Sequence, residues 1–113
     1  MIEKIKFLGL EYDNLSLTES VAKVEGFIKE GIPRMVFTPS AELVVKANEE
    51  KFLHNVYTRS DLLTVDSFVV CYSARLLGNP VKEPASASRI MLNFMPVAAE
   101  KGYKLYLLGA MKS

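Results

Sequence analysis

The chain has 113 residues, of which half are hydrophobic and 24% are charged, with a formal net charge of +1. This length suits a single domain of ~100–150 residues that can bury its own core. The charges form no long run of one sign, so no nucleic-acid partner is predicted. The single cysteine, Cys71, lies in an apolar run, which predicts a core residue and excludes an internal disulfide. No apolar run reaches the ~20 residues of a spanning helix, so a soluble, cytoplasmic domain is expected.

The first half of the chain alternates short apolar strands with amphipathic helices. Ser16 and Glu19 have the spacing of a capping box, and Gly31 lies where a helix C-cap belongs. Pro39 ends an apolar run that has the length of a buried strand. The predicted elements, in order, are one or two strands within Lys4–Tyr12 broken at Gly9, a helix from Ser16 to Gly31, a strand at Arg34–Thr38, a helix that begins at Ser40, and a helix at Glu49–Arg59.

The second half continues the same alternation. Pro96 lies inside a helical pattern, where its missing amide is expected to kink or split the helix. The helix after Asp66 is mostly apolar and is expected to be buried. The predicted elements are a strand at Leu62–Val65, a helix at Phe68–Leu77, a loop at Asn79–Ala85, a helix from Ser86 or Ser88 to Lys101, and a strand at Tyr103–Leu108.

Short apolar strands separated by helices are typical of a parallel α/β sheet. We therefore predict a single domain over residues 1–113, with a Rossmann-like parallel layer and helices on both faces. Its neighbouring parallel strands are expected at Met35–Thr38, Leu62–Val65 and Lys104–Leu108. Right-handed crossovers would bring the carboxyl ends of these strands to one edge, where open α/β sheets bind ligands.

Asp66 is the strongest candidate for chemistry, because a carboxylate directly after a strand is accessible and fixed in direction. The alternative is that Asp66 caps the helix that begins near Ser67. A receiver-like phosphoacceptor domain would need an acidic pair after the first strand, and only Asp13 is near that position.

Thr38 and Ser40 flank the end of the preceding strand, where their hydroxyl groups could bind a sugar or a phosphate. For Ser40, a helix cap is the simpler interpretation. His54 has no second histidine or cysteine at ligand spacing, so no metal site is predicted. Arg75 and Lys82 are lone cations, which usually bind nothing specific.

Three segments in order resemble the WecG/TagA/CpsF family of bacterial glycosyltransferases. These segments are TPSAELVVKAN, LLTVDSFVVCYSARLLGNPVKE and AAEKGYKLYLLGA. The resemblance implies an inverting transfer of N-acetylmannosamine, or a related sugar, from a UDP donor to a sugar on a polyprenyl diphosphate lipid. Such transfers serve teichoic acid and cell-wall polymer synthesis. The resemblance also implies that Asp66 is the general base and that Thr38 is a polar residue of the pocket. No cofactor is implied, and a peripheral contact at the inner face of the membrane is left open.

Several pocket positions depart from the family pattern. Ser40 replaces an asparagine, Ser67 and Ala87 replace glycines, Pro84 replaces an arginine, and Arg89 replaces an acidic residue. The family's remaining strands and helices would follow the 103–108 strand. The expectation is therefore a truncated or degenerate transferase that is inactive alone. The alternative is a non-catalytic module that binds a lipid-linked sugar or a partner protein.

The same reasoning leads us to expect self-association. The strand at Tyr103–Leu108, and the helix that carries Met91, Phe94 and Met95, would present apolar surface without a partner. Exposed apolar area and unpaired strand edges both promote association between chains.

Overall fold

The computed structural model describes residues 4–66 and 68–109, which form a mixed α/β structure. The nine elements over these residues alternate in the predicted order. They are β1 Lys4–Phe7, β2 Leu10–Asp13, α1 Leu17–Glu30, β3 Val36–Phe37, α2 Ala41–Glu49, α3 Lys51–Thr58, β4 Leu62–Leu63, α4 Phe68–Leu76 and α5 Ala87–Lys101. No helix in these two ranges is long and apolar enough to cross a membrane.

The predicted break at Gly9 is confirmed as the turn of a β-hairpin. β1 and β2 pair antiparallel, with Lys4 opposite Asp13 and Phe7 opposite Leu10. Leu8 and Gly9 both have positive φ, at 49° and 77°, as tight hairpin turns require. The turn packs on α2 and α3, because Asn48 Nδ2 donates to the Leu8 carbonyl at 2.8 Å and the His54 ring nitrogen Nε2 hydrogen-bonds the Gly9 carbonyl at 2.9 Å.

The predicted helix caps are confirmed. Ser16 Oγ accepts a hydrogen bond from the Glu19 amide at 3.1 Å, and the Glu19 carboxylate accepts from the Ser16 amide at 2.9 Å. Gly31 ends α1 with a φ of 72°. The break between α2 and α3 falls at Glu50, one residue after the predicted start of the second helix at Glu49.

Two of the three predicted parallel strands are formed. β3 pairs parallel with β4, with Val36 opposite Leu62 and Phe37 opposite Leu63. The third predicted strand is wrong, because residues 103–109 form neither helix nor strand. An extended segment without a neighbouring strand gains no ladder hydrogen bonds, so its apolar composition does not suffice to hold it as a strand. The described chain contains two separate two-stranded sheets and does not show the complete Rossmann-like layer.

Three further expectations for the second half need correction. α4 is buried only along Val70, Cys71 and Ala74, whereas its other apolar side chains, at Phe68, Val69, Tyr72 and Leu76, are exposed. Of the two outcomes predicted for Pro96, the split is wrong, because α5 runs unbroken from Ala87 to Lys101, and the kink stays a prediction. The carbonyl of Leu92, which loses its donor, lies on an exposed part of the helix where water can bond to it.

Phe94, which was expected to lack a partner, is buried, and its ring stacks on that of Tyr103.

The two sheets are joined by the buried carboxylate of Asp13, which is 5% exposed. Asp13 Oδ2 accepts a hydrogen bond from the amide of Leu63 in β4 at 2.8 Å. Asp13 Oδ1 lies 3.2 Å from Lys4 Nζ. The hairpin therefore contributes a side-chain acceptor to the parallel pair, and the main apolar core lies around this junction.

Replacing Asp13 should test the junction directly. We expect Asp13→Ala to lower the free energy of unfolding by about 1–3 kcal/mol, because the buried Leu63 amide would lose its acceptor. Asp13→Asn keeps an acceptor oxygen and should recover most of that loss. Glu11→Ala, an exposed change on the same strand, should stay within about 0.5 kcal/mol. Urea unfolding of the three variants makes the comparison, and an equal loss for Asp13→Ala and Glu11→Ala would contradict this role.

Candidate functional site

Asp66 follows β4 after two residues of extended chain and precedes α4. Its carboxylate accepts a hydrogen bond from the backbone amide of Ala87, the first residue of α5. The side chain therefore reaches across to α5, which sequence reasoning did not foresee. The alternative, that Asp66 caps the helix beginning near Ser67, stays a prediction, because Ser67 lies outside the described residues.

The environment of Asp66 favours its protonated form. Partial burial raises the pKa of the Asp66 carboxyl, and the amide of Ala87 offsets part of that rise. None of the salt bridges over the described residues includes Asp66. A carboxylate that is partly desolvated and held by one amide is a stronger base than a fully hydrated one.

The loop at Asn79–Ala85 brings the start of α5 to Asp66, and its middle is held by Asn14. Asn14 Nδ2 donates to the Pro80 carbonyl at 3.0 Å, and Asn14 Oδ1 accepts from the Lys82 amide at 2.9 Å. Asn14 is buried, so these bonds form away from bulk water. Asn14 thus fixes the path of this loop.

Arg75 holds the same loop from α4. Its Nε donates to the Val81 carbonyl at 2.8 Å and its Nη2 to the Lys82 carbonyl at 2.6 Å. The Lys82 ammonium pairs with Glu19 at 2.9 Å. Both cations that the sequence left without a specific role therefore have structural partners.

The end of the loop is attached to the chain that leads to Asp66. Thr64 Oγ1 donates to the Ala85 carbonyl at 2.7 Å, and the Ala85 amide donates to the Val65 carbonyl at 2.6 Å. Ala85 thus lies beside Thr64 and Val65, the residues that connect β4 to Asp66. Thr64, a hydroxyl inside an apolar run, is the signal in the sequence that could have revealed this contact.

Thr38 lines a cavity at the start of α5. A cavity of about 210 Å³ is lined by Val24, Val36, Thr38, Ala87, Ile90 and Met91. Ala87, which hydrogen-bonds Asp66, is part of that lining. Asp66 is not among these lining residues, so a shared site for Thr38 and Asp66 stays a prediction. Ser40 Oγ accepts from the Leu43 amide at 3.4 Å and caps α2, and a sugar contact by Ser40 stays a prediction.

Cys71 lies in the hydrophobic core, as its apolar sequence surroundings predicted. Burial raises the pKa of the Cys71 thiol, and Cys71 is fully enclosed in the core. Over residues 4–66 and 68–109, no group of three or more histidine, cysteine, aspartate or glutamate side chains could hold a metal ion.

The chain matches the model of a known protein family. The model of the glycosyl transferase WecG/TagA/CpsF family matches residues 5–113. The match therefore includes Asp66, Thr38 and the loop that leads to α5. Among curated proteins, no sequence matches the chain.

The environment of Asp66 can be tested by following the carboxyl carbon of this residue by NMR as pH is varied. We expect a pKa above that of an ordinary aspartate, because burial penalises the charged form. A raised pKa in the folded state means that this contribution to stability is complete below the unfolded pKa and is lost as pH rises through the folded pKa.

Asp66→Asn, which keeps an acceptor for the Ala87 amide, should therefore remove this pH dependence and slightly stabilise the protein at neutral pH. Glu42→Gln, an exposed carboxylate in the first turn of α2, is the matched control. A titration of Asp66 below the ordinary aspartate range would contradict the interpretation.

Proposed function

Because the chain belongs to the WecG/TagA/CpsF glycosyl transferase family, we propose that it supplies the acceptor side of an inverting sugar transfer. The donor is UDP-N-acetylmannosamine or a related UDP-sugar. The acceptor is a sugar carried on a polyprenyl diphosphate, at the cytoplasmic face of the membrane. The product would extend a cell-surface polymer of the teichoic acid type.

The observation that carries the proposal is the placement of Asp66. Its carboxylate is partly buried and accepts a hydrogen bond from the amide of Ala87, a residue that lines the same cavity as Thr38. In the proposed step the acceptor hydroxyl attacks the anomeric carbon as its proton passes to Asp66, and UDP leaves from the opposite face. An alcohol is a poor nucleophile until its proton is leaving, so a positioned base of this kind contributes about 10²–10⁴ in rate.

Thr38 has the position and chemistry to orient the acceptor. It follows β3 at the same edge as Asp66, and its hydroxyl can donate one hydrogen bond and accept others. The remaining cavity lining is mostly apolar, which suits the nonpolar face of a sugar ring.

A second candidate function, binding without catalysis, is favoured by Pro84. Pro84 is buried and stands where the family pattern has an arginine. It cannot donate charged hydrogen bonds to a departing diphosphate, and losses of this kind cost about 10²–10³ in rate. Arg89 Nη1 donates to the Pro84 carbonyl at 3.0 Å, so one positive charge does lie beside this position. In this candidate function the fold binds a lipid-linked sugar or a partner protein.

One experiment separates the two candidates. The chain is assayed with UDP-N-acetylmannosamine and lipid-diphosphate-linked N-acetylglucosamine, and acceptor binding is measured in parallel. We expect acceptor binding and no transfer by the natural chain, transfer about 10²-fold above background for Pro84→Arg, and its loss when Asp66→Asn is added to Pro84→Arg. Glu42→Gln should change neither quantity.

The outcomes differ for each candidate. Transfer that depends on Asp66 supports the enzyme. Acceptor binding without transfer, in both the natural chain and Pro84→Arg, supports the binding module. The absence of both binding and transfer overturns the two candidates together.

A further inference from the structure

The outer edge of β3 presents unpaired backbone groups. Met35 accepts hydrogen bonds from the amides of Asp61 and Leu62 at 2.9 and 3.2 Å, and Phe37 accepts from Thr64 at 3.1 Å. In a parallel ladder, successive residues direct their peptide groups to opposite sides. The amide and carbonyl of Val36 therefore point away from β4. Within residues 4–66 and 68–109, no strand pairs with that edge.

An apolar groove runs along this open edge. A cavity of about 190 Å³ is lined by Val24, Phe27, Ile28, Ile32, Arg34 and Val36. It shares Val24 and Val36 with the cavity of about 210 Å³ that ends at Thr38. The two cavities together, which we call the edge groove, therefore lie under α1 and α5 against the β3 edge.

The same chain carries a segment whose chemistry fits the edge groove. Residues 104–108 read KLYLL and have no regular structure, and Tyr106, Leu107 and Leu108 are 87%, 80% and 89% exposed. As a strand, the segment would place Leu105 and Leu107 on one face and Tyr106 and Leu108 on the other. A strand that is apolar on both faces is typical of the inside of a parallel layer.

The residues just before this segment are packed against α1 and α5. The Tyr103 ring stacks on Phe94, and its hydroxyl donates to Glu25 Oε2 at 3.0 Å. Lys101 also pairs with Glu25. The segment therefore leaves the body beside α1 and projects its apolar side chains into solvent.

From these observations we propose that two copies of the chain associate by strand exchange, with residues 104–108 of each copy pairing with the β3 edge in the edge groove of the other. The free peptide groups of Val36 supply the ladder, and the apolar side chains of the segment fill the groove. A reciprocal exchange closes with twofold symmetry and leaves neither edge open. Because Thr38 lies beyond Val36 at the carboxyl end of β3, the added strand would become a wall of the candidate site. This inference does not depend on the proposed transfer activity.

The test begins with the mass in solution, measured by light scattering and sedimentation from about 1 to 100 µM, a range in which open strand edges associate. We expect a concentration-dependent dimer. Leu107→Lys in the segment and Ile28→Lys in the groove should each raise the dimer dissociation constant roughly tenfold or more. Leu76→Lys is the matched control, because Leu76 on α4 is 87% exposed and lies outside the edge groove.

A mixing experiment then identifies strand exchange. The Leu107→Lys chain keeps an intact groove, and the Ile28→Lys chain keeps an intact segment. In an equal mixture, the natural segment of the Ile28→Lys chain can enter the natural groove of the Leu107→Lys chain. Neither variant alone can form such a pair, so the mixture should form dimers at lower concentration than either variant alone. Hydrogen exchange should show amide protection at residues 104–108 only in the dimer.

Three results would overturn the proposal. They are a monomer across the whole range, an equal loss of association in Leu76→Lys, and a monomer in which the amides of residues 104–108 are already protected. The last result would mean that the segment docks on its own chain.

Discussion

The carboxylate of Asp13 connects the hairpin to the parallel strand pair, and the rest of the described structure depends on that connection. A buried carboxylate costs several kcal/mol unless it is hydrogen-bonded or paired. Here one oxygen accepts from the Leu63 amide and the other faces the Lys4 ammonium. Because the Lys4 side chain is 55% exposed, its charge is partly screened, and the amide is the more important partner. Two small sheets thus share one core.

The next residue extends this organisation to the candidate site. Asn14 determines the path of the loop after α4, while Thr64 determines where that loop meets β4. Together these contacts position the start of α5 so that the Ala87 amide donates to the Asp66 carboxylate. The proton affinity of the proposed base therefore depends on side chains that never touch it. A general base needs both direction and a suitable pKa. Burial raises the pKa of the Asp66 carboxyl, and the Ala87 amide offsets part of that rise.

The fold also shows how apolar composition can mislead. α4 and residues 104–108 are both rich in apolar side chains, yet much of that surface faces solvent. α4 buries only the narrow stripe that contacts the core. Residues 104–108 lack a described neighbour for their peptide groups. A hydrophobic side chain is more stable when it is buried, but it becomes buried only where other elements of the fold cover it.

The elements that depend on contacts close in the sequence were predictable. The capping box at Ser16, the C-cap at Gly31 and the break at Gly9 follow from residues within a few positions of each other, and all three are present. The parallel pairing of β3 with β4 was also predictable, because helical stretches separate the two strands. The position of Asp66 after a strand could be deduced from the same pattern.

Contacts between residues far apart in the chain were decided by the tertiary structure. The partners of Asp13 and Asn14 lie 50 or more positions away, at Leu63 and in the loop at residues 80–82. The hydrogen bond from Ala87 to Asp66 likewise joins two separate helix starts. By itself, the sequence determined the local elements, the family resemblance and the identity of the candidate base. Only the packed chain decided which strands found partners and what surrounds that base, because buried polar groups take whichever partner the fold brings within hydrogen-bonding distance.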